Sequence, residues 1–359
     1  MHQPSGAFGD FGVYVHIPFC ARRCDYCAFA TWTDRDHLMT RYAAACVREV
    51  EEAELPAATS VFFGGGTPSL LPASLLMSLL HAVQRTDGAE VTVECNPETV
   101  TPALLATYAE AGVNRLSFGV QSMAPHVLAS LGRSHTPGSV VHAVGMARQA
   151  GFESFNLDLI YGGAGESLQD WERTLAEVVA LDPPHVAAYA LTVEPGTPLA
   201  GDPSRHPDDD DQADKYVVAE RVLSEAGLAN YEISNWARPG HECRHNLLYW
   251  RQGDYRGIGC AAHSHAAGRR WWNVRTPERY IRCIGTGASP VAAEEVLDDD
   301  QRRSEALQLG VRTRDGVPAG AVPEGLGDLD GLVDVGDDGR AVLTVAGRLL
   351  ANEVALRLR

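Results

Sequence analysis

Residues 13–29, VYVHIPFCARRCDYCAF, join a short β-rich run to three closely spaced cysteines. Cys20, Cys24 and Cys27 form a C-x3-C-x2-C pattern directly after the strand that we predict over residues 13–17. Zinc sites more often take four ligands in two close pairs, and the chain has no second pair at such spacing. Three thiolates on one tight loop suit a cubane iron–sulfur cluster that leaves one iron without a cysteine. Such an iron can chelate the amino and carboxylate groups of a small molecule.

Five further β-rich runs follow, with segments of helical periodicity between them. The six predicted strands cover residues 13–17, 60–63, 90–94, 115–120, 154–160 and 185–191. The helical segments cover residues 36–54, 73–84, 102–111, 138–150 and 168–181. Repeated strand–helix alternation predicts an α/β fold, in which right-handed crossovers curl a parallel sheet into a partial or full (β/α) barrel. In such barrels the functional residues lie just past the carboxyl ends of the strands.

The pattern changes after about residue 200, which divides the chain into three predicted regions. Residues 1–200 form the barrel, residues 201–297 complete it, and residues 298–359 form a small C-terminal helical domain. Residues 231–275 are dense in aromatic, His and Gly residues, so we expect a site-forming segment there. We expect residues 201–211, a polar segment with two prolines and four successive aspartates at 208–211, to form a solvated loop. The last region has turn-forming residues at 336–339 before an amphipathic stretch over residues 344–358.

The balance of charged and apolar residues excludes several classes of function. The 359 residues include 30 Lys and Arg against 47 Asp and Glu, a net charge of −17 that argues against a general nucleic-acid or anionic-membrane binder. No apolar run reaches the ~18 residues of a membrane span, and residues 1–10 lack the features of a secretory signal. Eight cysteines without such a signal suit a reducing compartment, so we expect a cytoplasmic protein.

The cysteine pattern after a first barrel strand resembles that of the radical S-adenosylmethionine (SAM) family, over roughly residues 12–312. The resemblance implies a [4Fe–4S] cluster on Cys20, Cys24 and Cys27 whose open iron holds SAM. In that family an electron from the reduced cluster cleaves SAM to methionine and a 5′-deoxyadenosyl radical, which abstracts hydrogen. Such cleavage requires an electron donor. The cofactor carries the difficult chemistry, and the barrel supplies orientation and exclusion of water.

Further positions match the SAM-binding residues of the family. Gly65, Gly66 and Thr67 belong to the segment GGGTP after the second predicted strand, which resembles the family's contact to the SAM amino group. Taken singly, a carboxylate at a strand end could be a helix cap or a surface charge, and an arginine could face solvent. Polar residues that follow several different strands favour one shared site instead. The other matches are Tyr14 beside the cluster, Tyr26 against SAM, Glu94 on the ribose, Gln121, Arg133 and Asp158 as polar contacts, and Ala190 and Ile258 near the adenine.

The segments HIPFC, GGGTPS, NLDLIYG and ALTVEPGT resemble the oxygen-independent coproporphyrinogen III oxidases and their relatives. The oxidases carry a further cysteine two residues after the third cluster ligand, where this chain has Phe29. Residues 245–250, HNLLYW, are similar to the HNxxYW motif of relatives that act as heme chaperones, the HemW family. That resemblance implies heme binding by His245, Asn246, Tyr249 and Trp250. The alternative for His245 is a packed histidine without a ligand role.

Three functions stay open at this point. The first is a heme chaperone of porphyrin metabolism that carries the cluster and SAM and hands heme to an unidentified apo-protein acceptor, as a monomer or a homodimer. The second is an anaerobic oxidase that removes hydrogen from propionate side chains with loss of CO2. The third is a zinc-binding interaction module, which the barrel pattern disfavours. We assign no catalytic residue.

Other His and Cys residues carry weaker signals. Residues 241–245, HECRH, look favourable for a metal, yet no second group of ligands accompanies them. His263 and His265 could line the same cavity or be polar loop residues, and we favour the second interpretation. The remaining cysteines outside residues 241–245 are expected to be buried or incidental thiols: Cys46, Cys95, Cys260 and Cys283.

Overall fold

The computed structural model describes residues 9–323 and 330–358. At its centre lie six parallel strands that neighbour one another in the order of the sequence. They are β1 (Phe11–Ile17), β2 (Ala58–Gly65), β3 (Arg85–Cys95), β4 (Arg115–Gln121), β5 (Ser154–Tyr161) and β6 (His185–Ala190). Each coincides with one of the six β-rich runs, so these strand predictions are confirmed.

Helices follow the strands on the outer side of this sheet. They are α1 (Met39–Glu52), α2 (Ala73–Ala82), α3 (Pro102–Glu110), α4 (Pro125–Ser130), α5 (Pro137–Gln149) and α6 (Leu168–Ala180). Five coincide with the predicted helical segments, and α4 is an additional short helix. The Thr136 hydroxyl accepts a hydrogen bond from Ser139 N, and the Ser167 hydroxyl accepts one from Asp170 N. Both pairs form capping boxes, so local sequence sets where α5 and α6 begin.

Short strands extend the sheet at both sides of the central six. After α7 (Asp209–Glu225), the hairpin of β7 (Ala229–Glu232) and β8 (Asn235–Ala237) pairs antiparallel with β6. After α8 (Arg244–Trp250), β9 (Asp254–Ile258) runs parallel beside β1. The antiparallel strands β10 (His263–Ala266), β11 (Arg269–Asn273) and β12 (Val291–Val296) follow, with α9 (Pro277–Gly285) between the last two. The 12-stranded sheet ends at β7 and β12, so it is open.

The predicted solvated loop over residues 201–211 extends only to Asp208, because Asp209, Asp210 and Asp211 form the first turn of α7. Asp208 caps the helix by accepting a hydrogen bond from Asp211 N over 3.0 Å. Asp209, Asp210 and Asp211 occupy the first turn, where carboxylates interact favourably with the helix dipole. The acidic residues are therefore a helix start signal rather than a loop signal.

Alternation along the strands separates a core face of the sheet from an inner face. Val91 and Val93 of β3 are buried in the core between the sheet and the helices, whereas Glu94 of the same strand lines a cavity. Residues from each of β1 to β6 border this cavity. The sheet must curve around it, so the architecture is a partial barrel. The expected fold class is confirmed.

The C-terminal region is less helical than predicted. Helix α10 (Asp299–Gly310) leads into a three-stranded antiparallel sheet of β13 (Val317–Pro318), β14 (Val333–Val335) and β15 (Arg340–Leu343), followed by α11 (Val345–Leu349) and α12 (Ala351–Ala355). The turn between β14 and β15 contains Gly339 at a φ of 74°, which glycine adopts readily. This turn makes the flanking residues a hairpin. A small separate core holds the region together: Val311, Val317, Ala321, Ala341, Val354 and Ala355.

The division of the chain into three domains stays a prediction. The expectation about a secretory signal falls largely on residues 1–8, which lie outside the described residues. None of the helices within residues 9–323 and 330–358 combines the length and apolarity that crossing a bilayer requires.

Candidate functional site

The three cysteines of the C-x3-C-x2-C pattern lie on the loop that follows β1, and all three are half-buried. Backbone hydrogen bonds fold this loop back: Cys27 N donates to Cys24 O over 3.2 Å, and Cys20 N donates to Trp32 O over 3.0 Å. Burial is the main cause that raises the pKa of the Cys20 and Cys27 thiols. Binding of a metal centre must therefore displace their protons.

Zinc and a cubane cluster, the two kinds of metal centre considered for this loop, need different arrangements of the cysteine sulfurs. A single zinc ion needs its sulfur ligands about 2.3 Å from one point. Within residues 9–323 and 330–358, no three His, Cys, Asp or Glu side chains are placed to hold one metal ion. A cubane binds each cysteine through a different iron and accommodates wider sulfur spacing. The cluster on this loop stays a prediction.

Residues 64–67, at the end of β2, are hydrogen-bonded to the cysteine loop. Thr67 N donates to Phe19 O over 2.8 Å, and the Thr67 hydroxyl donates to Cys20 Sγ over 3.7 Å. A Cβ at Gly66 would lie 2.6 Å from Phe19 O and 3.0 Å from Cys20 Sγ. Only glycine lets the two backbones approach so closely. The segment thus lies directly beside the cysteines, and its contact to SAM stays a prediction.

Arg133, in the loop between α4 and α5, reaches across to the cysteine loop. Its Nη2 donates to Asn96 Oδ1 over 2.9 Å and to Gly119 O over 3.0 Å, and its Nη1 donates to Cys24 Sγ over 3.5 Å. A solvent-facing arginine, the alternative interpretation, does not describe this structure. Gln121 ends β4 with a φ of 63° and is buried. The sequence analysis missed Asn96, although its place directly after β3 was an available signal.

Two carboxyl groups face the cavity from β3 and β5. Glu94 accepts a hydrogen bond from Gly65 N over 3.1 Å, and Asp158 accepts from Ser117 Oγ and Asn156 Nδ2, both over 2.8 Å. Burial, with a smaller effect of the Asp158 charge, raises the pKa of Glu94 to about 8. Burial also raises the pKa of Asp158, against the effect of its hydrogen bonds. Neither residue is a helix cap or a surface charge, and Glu94 is mostly protonated at neutral pH.

Replacement of Glu94 by glutamine tests this protonation. The pKa of Glu94 is raised from 4.5 to about 8 in the folded chain. Its contribution to stability is therefore present below about pH 4.5 and lost as the pH rises through about 8. We therefore compare how far the unfolding free energy falls between about pH 5 and about pH 8 in the cluster-free parent and in Glu94→Gln. The fall should be roughly 3–4 kcal/mol larger in the parent, because glutamine does not titrate. Urea denaturation at both pH values measures this difference, and equal falls in parent and variant would contradict it.

The remaining residues expected to bind SAM lie around the same end of the barrel. Tyr14 on β1 lines the cavity, and its hydroxyl lies 3.1 Å from His16 Nδ1. Tyr26, on the cysteine loop, packs against a small apolar cluster that includes residues of α4. Ala190 and Ile258 end β6 and β9, Ala190 exposed and Ile258 buried. The structure thus brings the predicted SAM residues to one end of the barrel, and their individual roles stay predictions.

The HNLLYW segment forms α8, which lies against β1 and β2 near their amino ends. His245 is buried; its Nδ1 lies 2.9 Å from Ser60 Oγ and its Nε2 lies 2.8 Å from Tyr249 OH. Its ring stacks on Phe62 with 5.4 Å between the ring centroids. Burial lowers the pKa of His245 to about 3, so the imidazole is neutral. Because both ring nitrogens are engaged, His245 can bind iron only after one of these hydrogen bonds opens.

The two groups of candidate residues meet in one cavity of about 140 Å³. Glu94 and Asp158 line it from the SAM group, and His245, Asn246 and Tyr249 line it from α8. Sites for drug-sized ligands measure about 300–1,000 Å³. In this conformation the cavity therefore holds part of a large ligand and not a whole macrocycle.

Some predicted residues lie outside this cavity, and several of its residues were not anticipated. Trp250 is absent from the lining within the described ranges, and its buried Nε1 has no hydrogen-bond partner there. His263 and His265 also lie outside it, on β10. The unanticipated residues are mostly polar, and all but Cys243, which precedes α8, occupy inward-facing positions of strands, a pattern that the sequence contains. They are Phe62, Arg115, Ser117, Asn156, His185, Tyr189, Asn235 and Cys243.

Comparison with known proteins identifies the family. Residues 14–178 match the radical SAM superfamily. The chain is 43% identical to the heme chaperone HemW of Mycobacterium tuberculosis (strain H37Rv), over 97% of this chain and 94% of that protein. The chain belongs to the HemW family. HemW of Bacillus subtilis (strain 168) is 34% identical over 95% of this chain and 97% of its own length. HemW of Escherichia coli (strain K12) is 40% identical over 70% of this chain and 69% of its own length.

A solved structure supports the fold of this HemW-family chain. Coproporphyrinogen III oxidase HemN from Escherichia coli, a radical SAM enzyme, superimposes with a TM-score of 0.83 over 97% of this chain and 89% of HemN. The two sequences are 24% identical, so the likeness concerns the fold. Together the comparisons confirm the radical SAM resemblance and the HemW resemblance that the motifs indicated.

Proposed function

We propose that this HemW-family chain is a heme chaperone that binds heme and transfers it to acceptor proteins. The observation that carries the proposal is the 43% identity to a heme chaperone HemW over 94% of that protein. Phe29 supports it, because the coproporphyrinogen oxidases that the sequence resembles carry a cysteine at this position. Phe29 is 63% exposed and adds no metal ligand beside the cysteine loop.

We further propose that the chain carries a [4Fe–4S] cluster and SAM. Cys20, Cys24 and Cys27 would hold the cluster, which supplies one-electron chemistry when bound. Arg133 Nη1 donates to Cys24 Sγ and the Thr67 hydroxyl donates to Cys20 Sγ. Hydrogen bonds to sulfur favour the thiolate and tune the potential of a bound cluster. The residues at the strand ends would orient SAM and keep water away from it.

The partners follow from this assignment. Heme would pass to an apo-hemoprotein, and an electron donor is required if SAM is cleaved. The free cysteines of the described residues suit a reducing compartment, so we propose a cytoplasmic location. A homodimer stays a prediction that light scattering of the anaerobic protein can test.

Anaerobic reconstitution, followed by parallel heme titration and coproporphyrinogen III turnover, tests the proposed function. We expect saturable heme binding in the Soret region and transfer of the heme to apomyoglobin as a probe acceptor. We also expect no catalytic formation of protoporphyrinogen. Turnover of coproporphyrinogen would make the chain an oxidase, and failure to bind heme would contradict the chaperone assignment.

Replacement of His245 by alanine tests the proposed heme ligand. We expect the variant to keep its cluster, because His245 lies on α8 and far along the barrel from the cysteine loop. We expect its heme affinity to fall about tenfold or more, because a neutral imidazole is a strong ligand of heme iron. Heme titration of the reconstituted protein measures this loss. Affinity equal to that of the parent would leave His245 as a packing residue only.

Tyr249→Phe provides a matched variant for the same question. It removes the hydroxyl that lies 2.8 Å from His245 Nε2 and keeps the aromatic ring. If His245 binds iron, heme does not have to displace this hydrogen bond in the Tyr249→Phe variant. The heme affinity of the variant should therefore be about two- to tenfold higher than that of the parent. A loss of affinity in Tyr249→Phe would show that the hydroxyl itself contributes to heme binding.

A further inference from the structure

Arg115 is a buried cation that lines the cavity without a direct partner. It is the first residue of β4 and is 3% exposed. Its side chain takes part in no hydrogen bond or ion pair within residues 9–323 and 330–358, and its buried Nε has no acceptor there. A buried guanidinium without a partner is costly, because it loses hydration that nothing replaces.

The two carboxyl groups whose charges act on Arg115 form hydrogen bonds with other residues. Glu90 accepts hydrogen bonds from Arg244 N and His245 N, both over 3.1 Å, and so caps the start of α8. Asp158 accepts one hydrogen bond from the hydroxyl of Ser117 on the neighbouring strand β4. It accepts another from the side-chain amide of Asn156 on its own strand, β5. Both carboxylates offset the charge of Arg115 through space. Neither provides the bidentate contact that a guanidinium favours.

A second orphaned polar atom lies beside Arg115. Thr92 of β3 is the residue directly opposite Arg115 in the pairing of β3 and β4. Its Oγ1 is buried and, like Arg115 Nε, has no partner among the described residues. Of these two residues only Arg115 lines the cavity, so its guanidinium marks the place where a polar group of a ligand can complete the hydrogen bonding.

We propose that Arg115 binds a carboxylate side arm of the ligand. The inference rests on the proposed function, under which the ligand is heme and the side arm is one of its propionates. The size of the cavity agrees, since about 140 Å³ admits a side arm but not the macrocycle. The propionate oxygens accept the two parallel N–H groups of the guanidinium and replace its lost hydration.

The test compares two porphyrins on one protein. Anaerobically reconstituted parent and Arg115→Met are titrated with iron protoporphyrin IX and with its dimethyl ester, which lacks the carboxylates. We expect the parent to bind the free acid about tenfold or more tightly than the ester, because hydrogen bonds between charged groups are the strong ones. In Arg115→Met the ratio should fall to about one. An undiminished preference for the free acid in Arg115→Met would overturn the proposal.

Arg256→Met serves as the matched control. Arg256 lies on β9 and is ion-paired with the buried Glu49 over 3.1 Å, outside the cavity. The Arg256→Met variant should keep the full preference for the free acid. Its melting temperature should be lower than that of the parent, because Glu49 loses its ion-pair partner. Arg115→Met should lower the melting temperature less than Arg256→Met, because it breaks no hydrogen bond or ion pair and removes only the through-space attraction to Glu90 and Asp158. An Arg115→Met variant destabilised as much as Arg256→Met would make Arg115 a structural residue and overturn the inference.

The remaining outcomes separate the inference from the proposed function. If the parent binds both porphyrins equally well, the pocket around Arg115 holds solvent, and the inference fails while the chaperone assignment stands. If the parent binds neither porphyrin, the proposed function is wrong, and the inference, which rests on it, is wrong as well.

Discussion

Cys24→Ala is expected to remove the iron–sulfur cluster entirely. Cys24 lies in the middle of the cysteine loop, its carbonyl accepts from Cys27 N, and its Sγ accepts from Arg133 Nη1 over 3.5 Å. Without it, only two of the three thiols that we propose as cluster ligands remain. We expect iron and acid-labile sulfide to fall from about four of each per chain to near zero after anaerobic reconstitution. The brown colour and the absorption near about 400 nm should disappear with them.

Cys283→Ala is the matched control for this experiment. Cys283 is half-buried like Cys24, but it lies on α9, away from the cysteine loop. It should keep the full iron and sulfide content. Full iron content in Cys24→Ala, or an equal loss in both variants, would mean that the cysteine loop does not hold the cluster. Zinc without sulfide in the parent would overturn the radical SAM interpretation of the loop.

The central strands were predictable because each is a short apolar run between turn residues. The edge of the sheet was not, since strands such as Asn235–Ala237 are only three residues long and exist through pairing with β6. Tertiary contact decides such strands, and local sequence does not. The C-terminal hairpin was missed for the same reason, although Gly339 marked its turn.

The cysteine loop and the strand-end residues could be predicted because their motifs are contiguous in sequence. The position of α8 against β1 and β2 could not be predicted from the sequence. His245 bonds to Ser60, 185 residues earlier in the chain, and nothing in either segment specifies the contact. Arg115 was also missed, because a single arginine at the start of a strand does not show which face of the sheet it occupies. The barrel interior is therefore a product of long-range pairing.

Gly66→Ala is expected to have the second large effect. The added methyl group would lie 2.6 Å from Phe19 O, 2.8 Å from Ile17 O and 3.0 Å from Cys20 Sγ. Backbone carbonyls cannot yield as a flexible side chain would, so β2 must separate from the cysteine loop. We expect the unfolding free energy to fall by about 1–3 kcal/mol, as for other overpacked sites. SAM affinity should fall by about 10- to 100-fold, because a lost hydrogen bond to a charged group costs roughly 1.5–3 kcal/mol.

The same substitution at Gly145 separates this contact from the general effect of replacing glycine. Gly145 lies within α5, and a Cβ there meets nothing within 4 Å. Alanine should stabilise that helix by about 0.5–1 kcal/mol and leave SAM affinity at the parental value. Urea denaturation and equilibrium binding of SAM to both anaerobically reconstituted variants give the comparison. The stability changes should have opposite signs, because alanine favours the helix at Gly145 and meets the backbone of Ile17 and Phe19 at Gly66. Parental SAM affinity in Gly66→Ala would show that this close approach does not position the ligand.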